Sequence, residues 1–248
     1  MAIARAGVAL CGVLLTVLLA SAAWAAPADG PPPPTPATPQ PRAGYHHLGA
    51  TTVSGWSGVS GRLTVANPGV RAGTYDFVAA RFMARSADGT AWLEAGWSEN
   101  GWLRDGRQRV YTYDTVSRRW TFHDEYPITP GDRVWINLES AGDGHWRAWL
   151  WWRGQWRLLI DQRVPIGRST TIEQYVEVYV DPAMGGYITL PKAGFDNVRL
   201  RDAGGGSTFW REGEVPTGAG SGFANYCLNW VKRYDTWSAA TCAAARAR

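Results

Sequence analysis

Glu173 and Glu177 stand in the run Thr171–Val180, where Ile172, Val176, Val178 and Val180 alternate with Glu173, Tyr175, Glu177 and Tyr179. Alternate residues of a β-strand share a face, so this run predicts one aliphatic face and one face of carboxylates and phenols. Trp92, Glu94, Gly96 and Ser98 lie in phase in the same way, as do Arg109, Tyr111 and Tyr113. Positioned carboxylates are reagents of general acid–base hydrolysis. Glu173 and Glu177 on one strand would be roughly 13 Å apart. Glycosidase pairs are separated by about 5–5.5 Å or about 6.5–9.5 Å, so a working pair must draw on a second strand.

Other chemistries find less support. The chain has no G-x-S-x-G elbow, no H-E-x-x-H run and no calcium loop. Its four histidines, at 46, 47, 123 and 145, complete no ligand set with cysteine. Neither a metal nor a cofactor is expected.

The elements that must position these residues are strands. Trp, Tyr, Val and Thr are abundant, and glycine or proline punctuates short alternating runs. Strands are predicted near 51–56, 60–66, 75–84, 90–99, 107–115, 118–124, 132–140, 145–152, 155–163, 171–180 and 194–200. Turn signals include Asp143-Gly144 and Arg153-Gly154. No helical period is sustained before the last stretch of the chain, so the pattern means a sandwich or a barrel. Val134, Ile136 and Leu138 oppose Trp135, Asn137 and Glu139 on one such run. The aromatic and acidic face is expected to form a wet groove, with a second packed layer over it as the competing expectation.

The N-terminus reads as an export signal. Arg5 precedes an apolar stretch from Gly7 to Ala20, and Ala23-Trp24-Ala25 fits a small-x-small cleavage site. The stretch is shorter than the ~20 apolar residues of a spanning helix, so no stable membrane anchor is expected after cleavage. Residues 26–42 are rich in proline and read as a semi-rigid spacer. Of three cysteines only Cys227 and Cys242 remain after cleavage, and outside the cytoplasm they are expected to form a disulfide. The net charge of +4 falls by one when Arg5 leaves, and arginines are interleaved with Asp and Glu. That distribution argues against a nucleic-acid partner; a secreted or envelope-associated monomer is expected.

The order of motifs resembles the glutamic peptidases, or eqolisins. Trp56-Ser57-Gly58-Val59-Ser60-Gly61-Arg62-Leu63-Thr64-Val65 is similar to their first strands, and Ala91-Trp92-Leu93-Glu94-Ala95-Gly96 resembles their A-x-L-Q-x-G stretch. Ile128-Thr129-Pro130-Gly131-Asp132 resembles their Gly-Asp turn. Ile172-Glu173-Gln174-Tyr175-Val176-Glu177 matches A-E-W-x-V-E, and Phe195-Asp196-Asn197-Val198 fits the closing strand. The likeness runs from about residue 53 to 202.

This resemblance implies an all-β fold, a two-sheet antiparallel β-sandwich of the concanavalin or jelly-roll kind. It also implies acid endopeptidase chemistry: a glutamate that activates water, at Glu173, and a glutamine that stabilises the oxyanion. Glu94 occupies the glutamine position. An ionised glutamate cannot donate to an oxyanion, but a protonated one can, and facing carboxylates raise one pKa. Two further motifs depart: Phe77–Phe82 replaces W-V-G-x-D-G, and Tyr111-Thr112-Tyr113 replaces an aromatic-Glu-aromatic strand. The expected site joins Glu94 and Glu173 with the substrate-binding residues Trp92, Tyr111, Tyr113, Trp135, Tyr175 and Glu177.

Two rival readings stand beside this one. A carbohydrate-binding, lectin-like module would stack sugars in the same groove on Trp92, Trp135, Trp149, Trp151, Tyr111, Tyr113, Tyr175 and Tyr179. A sandwich glucanase would want E-x-D-x-x-E, but Tyr175 holds the Asp position. The partner is therefore a polypeptide or a polysaccharide. The expected organisation is a signal peptide at 1–25, a linker at 26–42, the sandwich at 43–203 and a disulfide-tied extension at 204–248.

Overall fold

The computed structural model describes residues 43–167, 170–220 and 225–242. The expected signal peptide and proline-rich linker lie outside the described residues.

Among the described residues, alternation is realised in fifteen strands. The first five are β1 (Gly44–Thr52), β2 (Trp56–Thr64), β3 (Phe77–Arg85), β4 (Trp92–Asn100) and β5 (Gln108–Asp114). Next come β6 (Arg119–Phe122), β7 (Arg133–Gly142), β8 (His145–Trp152), β9 (Gln155–Arg163) and β10 (Thr171–Val180). Last are β11 (Ala193–Asp202), β12 (Ser207–Phe209), β13 (Thr217–Ala219), β14 (Tyr226–Lys232) and β15 (Thr236–Thr241). A 3-10 turn at Gly101–Leu103 is the one helical element named among the described residues.

The strands form two antiparallel sheets, as expected of a β-sandwich. One has the order β13-β1-β10-β3-β4-β5-β6 and the other β14-β15-β11-β2-β7-β8-β9, with β12 beside β11. The turn chemistry fits: Asp143 and Gly144 have φ of 52° and 78°, and Arg153 and Gly154 have 48° and 82°. Two consecutive left-handed residues make the type I′ turn that matches strand twist, which closes β7–β8 and β8–β9.

One face of each sheet makes the core. Ile172, Val176, Val178 and Val180 of β10 and Val78, Ala80, Phe82 and Ala84 of β3 are fully buried there. They pack with Ile136 and Leu138 of β7 and Trp146, Ala148 and Leu150 of β8 in one cluster. Each fully buried Val, Leu or Ile contributes about 1.5–3 kcal/mol, so this face fixes the register. A slip of one residue would turn Glu173 and Glu177 into the core.

The segment after Asp202 builds into the sandwich. β13 pairs with β1, while β15 joins β14 to β11, so the tail extends both sheets. Trp237 is buried and stacks on Phe195 at 4.8 Å. The Cys227–Cys242 disulfide is present and ties β14 to the end of β15.

Candidate functional site

The outer face of the β10–β3–β4–β5 sheet is ordered in rows by strand register. One row reads Thr51, Glu173, Met83, Glu94, Tyr113, Trp120. The next reads Gly49, Tyr175, Arg81, Gly96, Tyr111, Phe122, and a third begins His47, Glu177, Ala79, Ser98, Arg109. Glu94, Glu173, Glu177, Trp92, Tyr111, Tyr113 and Tyr175 therefore share one face. Trp135 does not. It lies on β7 of the other sheet, in register with Arg62 and Trp151, so it cannot line this site. Trp149 and Trp151 are on that sheet too. Alternation says which residues of a strand share a face, not which sheet the strand joins.

Arg81 holds the carboxylates together. It is fully buried, and its Nε donates to Glu177 Oε2 at 2.8 Å. Glu94 Oε2 is 3.6 Å from the same nitrogen, and Nη1 donates to Glu173 Oε2 at 3.4 Å. The guanidinium also lies over the Tyr175 ring at 5.5 Å. Gly96, its neighbour in the row, carries no side chain, and a Cβ there would come within 2.0 Å of the Ala80 carbonyl oxygen. Burial works against the charge of Arg81, but the three glutamates outweigh it and raise the pKa well above the ordinary value.

Glu94 is held from both oxygens. The Trp92 indole N–H donates to Oε1 at 2.9 Å and the Tyr111 hydroxyl donates to Oε2 at 3.0 Å. Burial pushes its pKa up to about 7; Arg81 pulls against this, and the Glu177 charge adds to it. Glu177 takes the opposite course. Burial alone would raise it, but Arg81 and His47 together hold it down at about 2; His47 Nε2 is 3.5 Å from its Oε1. Adjacent acids pushed apart in this way can divide the roles of proton donor and charge. Glu173 sits between two cations, with Arg85 Nε 3.4 Å from Oε1.

The face is drier than a wet groove. Phe77, Ala79, Tyr111 and Tyr113 form a second buried cluster, covered by Tyr45, Trp92, Trp102, Trp120, Phe122 and Tyr179. Trp120 stacks on Tyr111 at 4.6 Å. Arg85, Trp92 and Tyr175, beside the buried Glu94 and Glu173, are partly exposed. Among the described residues no group of three His, Cys, Asp or Glu side chains is arranged to hold a metal ion. The three glutamates surround a guanidinium instead.

Arg81, Arg85 and His47 were not among the residues singled out from the sequence. A signal for Arg81 exists: it falls in phase with Phe77, Ala79 and Met83 in the middle of a strand that is apolar up to its terminal Arg85.

The fold is similar to that of solved glutamic peptidases. Among solved structures, scytalido-glutamic peptidase with a transition-state analogue inhibitor aligns at a TM-score of 0.56 and 14% identity. SCP-B, a member of the eqolisin family in complex with the tripeptide Ala-Ile-His, aligns at 0.56 and 15%. Both alignments cover 80% of this chain and 98% of the other. At this identity the likeness is one of fold. No family model matches the chain, and no curated protein matches it.

Proposed function

We propose that this protein is an exported peptide hydrolase that works in acid, with Glu173 as the base and Glu94 as the proton-bearing donor. The observation that carries this reading is the placement of Glu94 and Glu173 on one face, on either side of Met83 and both beside Arg81, with burial raising the Glu94 pKa to about 7. Below that pH the carboxyl group has an O–H, and it can make the hydrogen bond to a developing oxyanion that a glutamine amide would make. In its carboxylate form Glu173 takes a proton from water as the water oxygen bonds to the scissile carbonyl carbon. The carbonyl oxygen gains the negative charge and is met by Glu94. Glu173 then passes its proton to the leaving amine as the C–N bond breaks. Arg81 fixes both acids, and the peptide enters past Arg85, Trp92 and Tyr175. The fold shared with glutamic peptidases and the Cys227–Cys242 disulfide support this reading and its extracellular setting.

The rival of a sugar-binding groove on this same face has less support. Tyr111 is fully buried and Tyr113 is 3% exposed, so neither offers a ring face to a ligand. The deciding experiment is incubation of the purified protein with an unfolded protein substrate between about pH 2 and 7, the span set by Glu177 and Glu94. Peptide products are read by mass spectrometry. Cleavage that vanishes in Glu173→Gln supports the proposal; an inert wild type and an inert Glu94→Gln variant would overturn it.

A further inference from the structure

The outer face of the other sheet carries a separate aromatic patch. Trp135 of β7, Trp151 of β8 and Trp156 of β9 are register partners in one row across three adjacent strands. Neighbouring strands are 4.7–4.9 Å apart, so the row spans about 10 Å. Trp151 and Trp156 are 42% and 43% exposed, and Leu158, one row along, is 47% exposed. Large exposed rings in one contiguous group mark interaction surfaces, whereas single exposed hydrophobic residues do not. Nothing in the carboxylate chemistry uses them, because they lie on the opposite side of the sandwich.

We propose that the Trp135–Trp151–Trp156 row is a second binding site, for a single chain of neutral polysaccharide. Four features select this ligand. The C–H faces of sugar rings are apolar and flat and stack on indole, and the row is long enough for a short run of rings. Two arginines beside the tryptophans are ion-paired: Arg62 Nε donates to Asp196 at 2.6 Å and Arg147 Nε donates to Asp161 at 2.7 Å. Asp161, Asp196 and Glu139 interleave with the arginines of this face, so it presents no unbroken basic stripe of the kind a nucleic acid requires. Beside the rings stands Asn137, the register partner of Trp149, with an amide able to donate to and accept from hydroxyl groups. Trp151 and Trp156 meet at 68° with centroids 5.4 Å apart. Rings at such an angle grip a twisted single chain and do not lie flat on a crystalline surface. This site is independent of the proposed hydrolysis and would hold the protein on a polysaccharide matrix.

Affinity electrophoresis in native gels cast with xylan, laminarin or hydroxyethylcellulose tests the proposal. The wild type should be retarded by at least one of these soluble polymers. Trp151→Ala and Trp156→Ala should each weaken retardation at least tenfold, since an aromatic platform loses a stacking face with each. Near-ultraviolet circular dichroism, read alongside, shows that the variants keep their fold. Retardation by none of the three polymers, or equal retardation of wild type and both variants, would overturn the proposal. So would a wild-type dimer in sedimentation that Trp151→Ala converts to monomer without any polymer binding, for the patch would then be a contact between copies.

Discussion

Glu94 and Glu173 are register partners of the same residue, Met83, from opposite sides of β3. The two acids are thus held two strands apart on one face, and the arginine one row away reaches both. The backbone positions of both acids are fixed by the ladders that carry them. The pair is set by sheet register, and Arg81 sets its electrostatics.

The activity of such a pair should have an alkaline limb set by Glu94. Its carboxyl is protonated below about 7 and loses its donor above that value. Hydrolysis should therefore fall as pH rises through about 7. Glu94→Gln keeps a donor at every pH, so it should retain activity and lose that limb. Glu173→Gln should lower kcat by about 10²–10⁴-fold, the range for a general base. Rate–pH profiles of the three proteins check this; an unchanged alkaline limb in Glu94→Gln would refute the role given to Glu94.

Stability should peak in mild acid, because two buried glutamates shift in opposite directions. Glu177 has a folded pKa of about 2, below its ordinary 4.5, so its contribution is present above 4.5 and lost as pH falls toward 2. Glu94 has a folded pKa of about 7, above 4.5, so its contribution is present below 4.5 and lost as pH rises toward 7. Each side is worth on the order of a few kcal/mol. Chemical denaturation from acid to neutral pH should give a maximum near 4.5, and Glu94→Gln should flatten only the side above it. A maximum that stays put with both sides intact in Glu94→Gln would contradict the assignment.

Much of this was legible in the residues. The alternation in β10 placed Glu173 and Glu177 opposite Ile172, Val176 and Val178, and burial against solvent makes that inference firm. The pairing of β10 with β3 and of β3 with β4 was not legible, since register across strands depends on contacts distant in sequence. Arg81 escaped notice for that reason: in the middle of a mostly apolar strand it looks like an interruption, and only its neighbours at 94, 173 and 177 give it meaning. Trp135 was misplaced because its strand belongs to the other sheet. That the tail joins both sheets was not legible, because β12 to β15 are short and their partners β1 and β11 lie far back in the chain.

The disulfide should add stability without defining the fold. Cys227 and Cys242 are 15 residues apart, and a loop of that size gives roughly 3 kcal/mol in the chain-entropy model. The β14–β15 and β11–β15 ladders do not include the sulfurs, so they should survive. Replacing both cysteines by serine should lower Tm by roughly 6–12 °C, at about 2–4 °C per kcal/mol for a domain of this size. Calorimetry reads the shift, and far-ultraviolet circular dichroism should be unchanged. Loss of the β signal in the variant would show that the tail depends on the bond.

Arg81 should be the residue whose loss costs most, and its cost should depend on pH. Arg81→Met removes the cation shared by Glu94, Glu173 and Glu177 and leaves them buried together. Removing one partner of a buried charge cluster destabilises by about 3–5 kcal/mol, and here three partners are left. Without the guanidinium, burial and mutual repulsion dominate, and Glu177 loses the main attraction that held it at about 2. Its folded pKa then rises above the unfolded value, so the variant should be nearest to wild type in acid, where the carboxyls are protonated. The deficit should widen as pH rises toward neutral. Adding Glu177→Gln removes one of the stranded charges and should recover part of the loss at neutral pH, a coupling that independent sites would not show. Denaturant titrations of wild type, Arg81→Met, Glu177→Gln and the double variant at acid and neutral pH give the full cycle. A deficit that is the same at both pH values, or a double variant that is merely additive, would mean that Arg81 acts by packing over Tyr175 and not by charge.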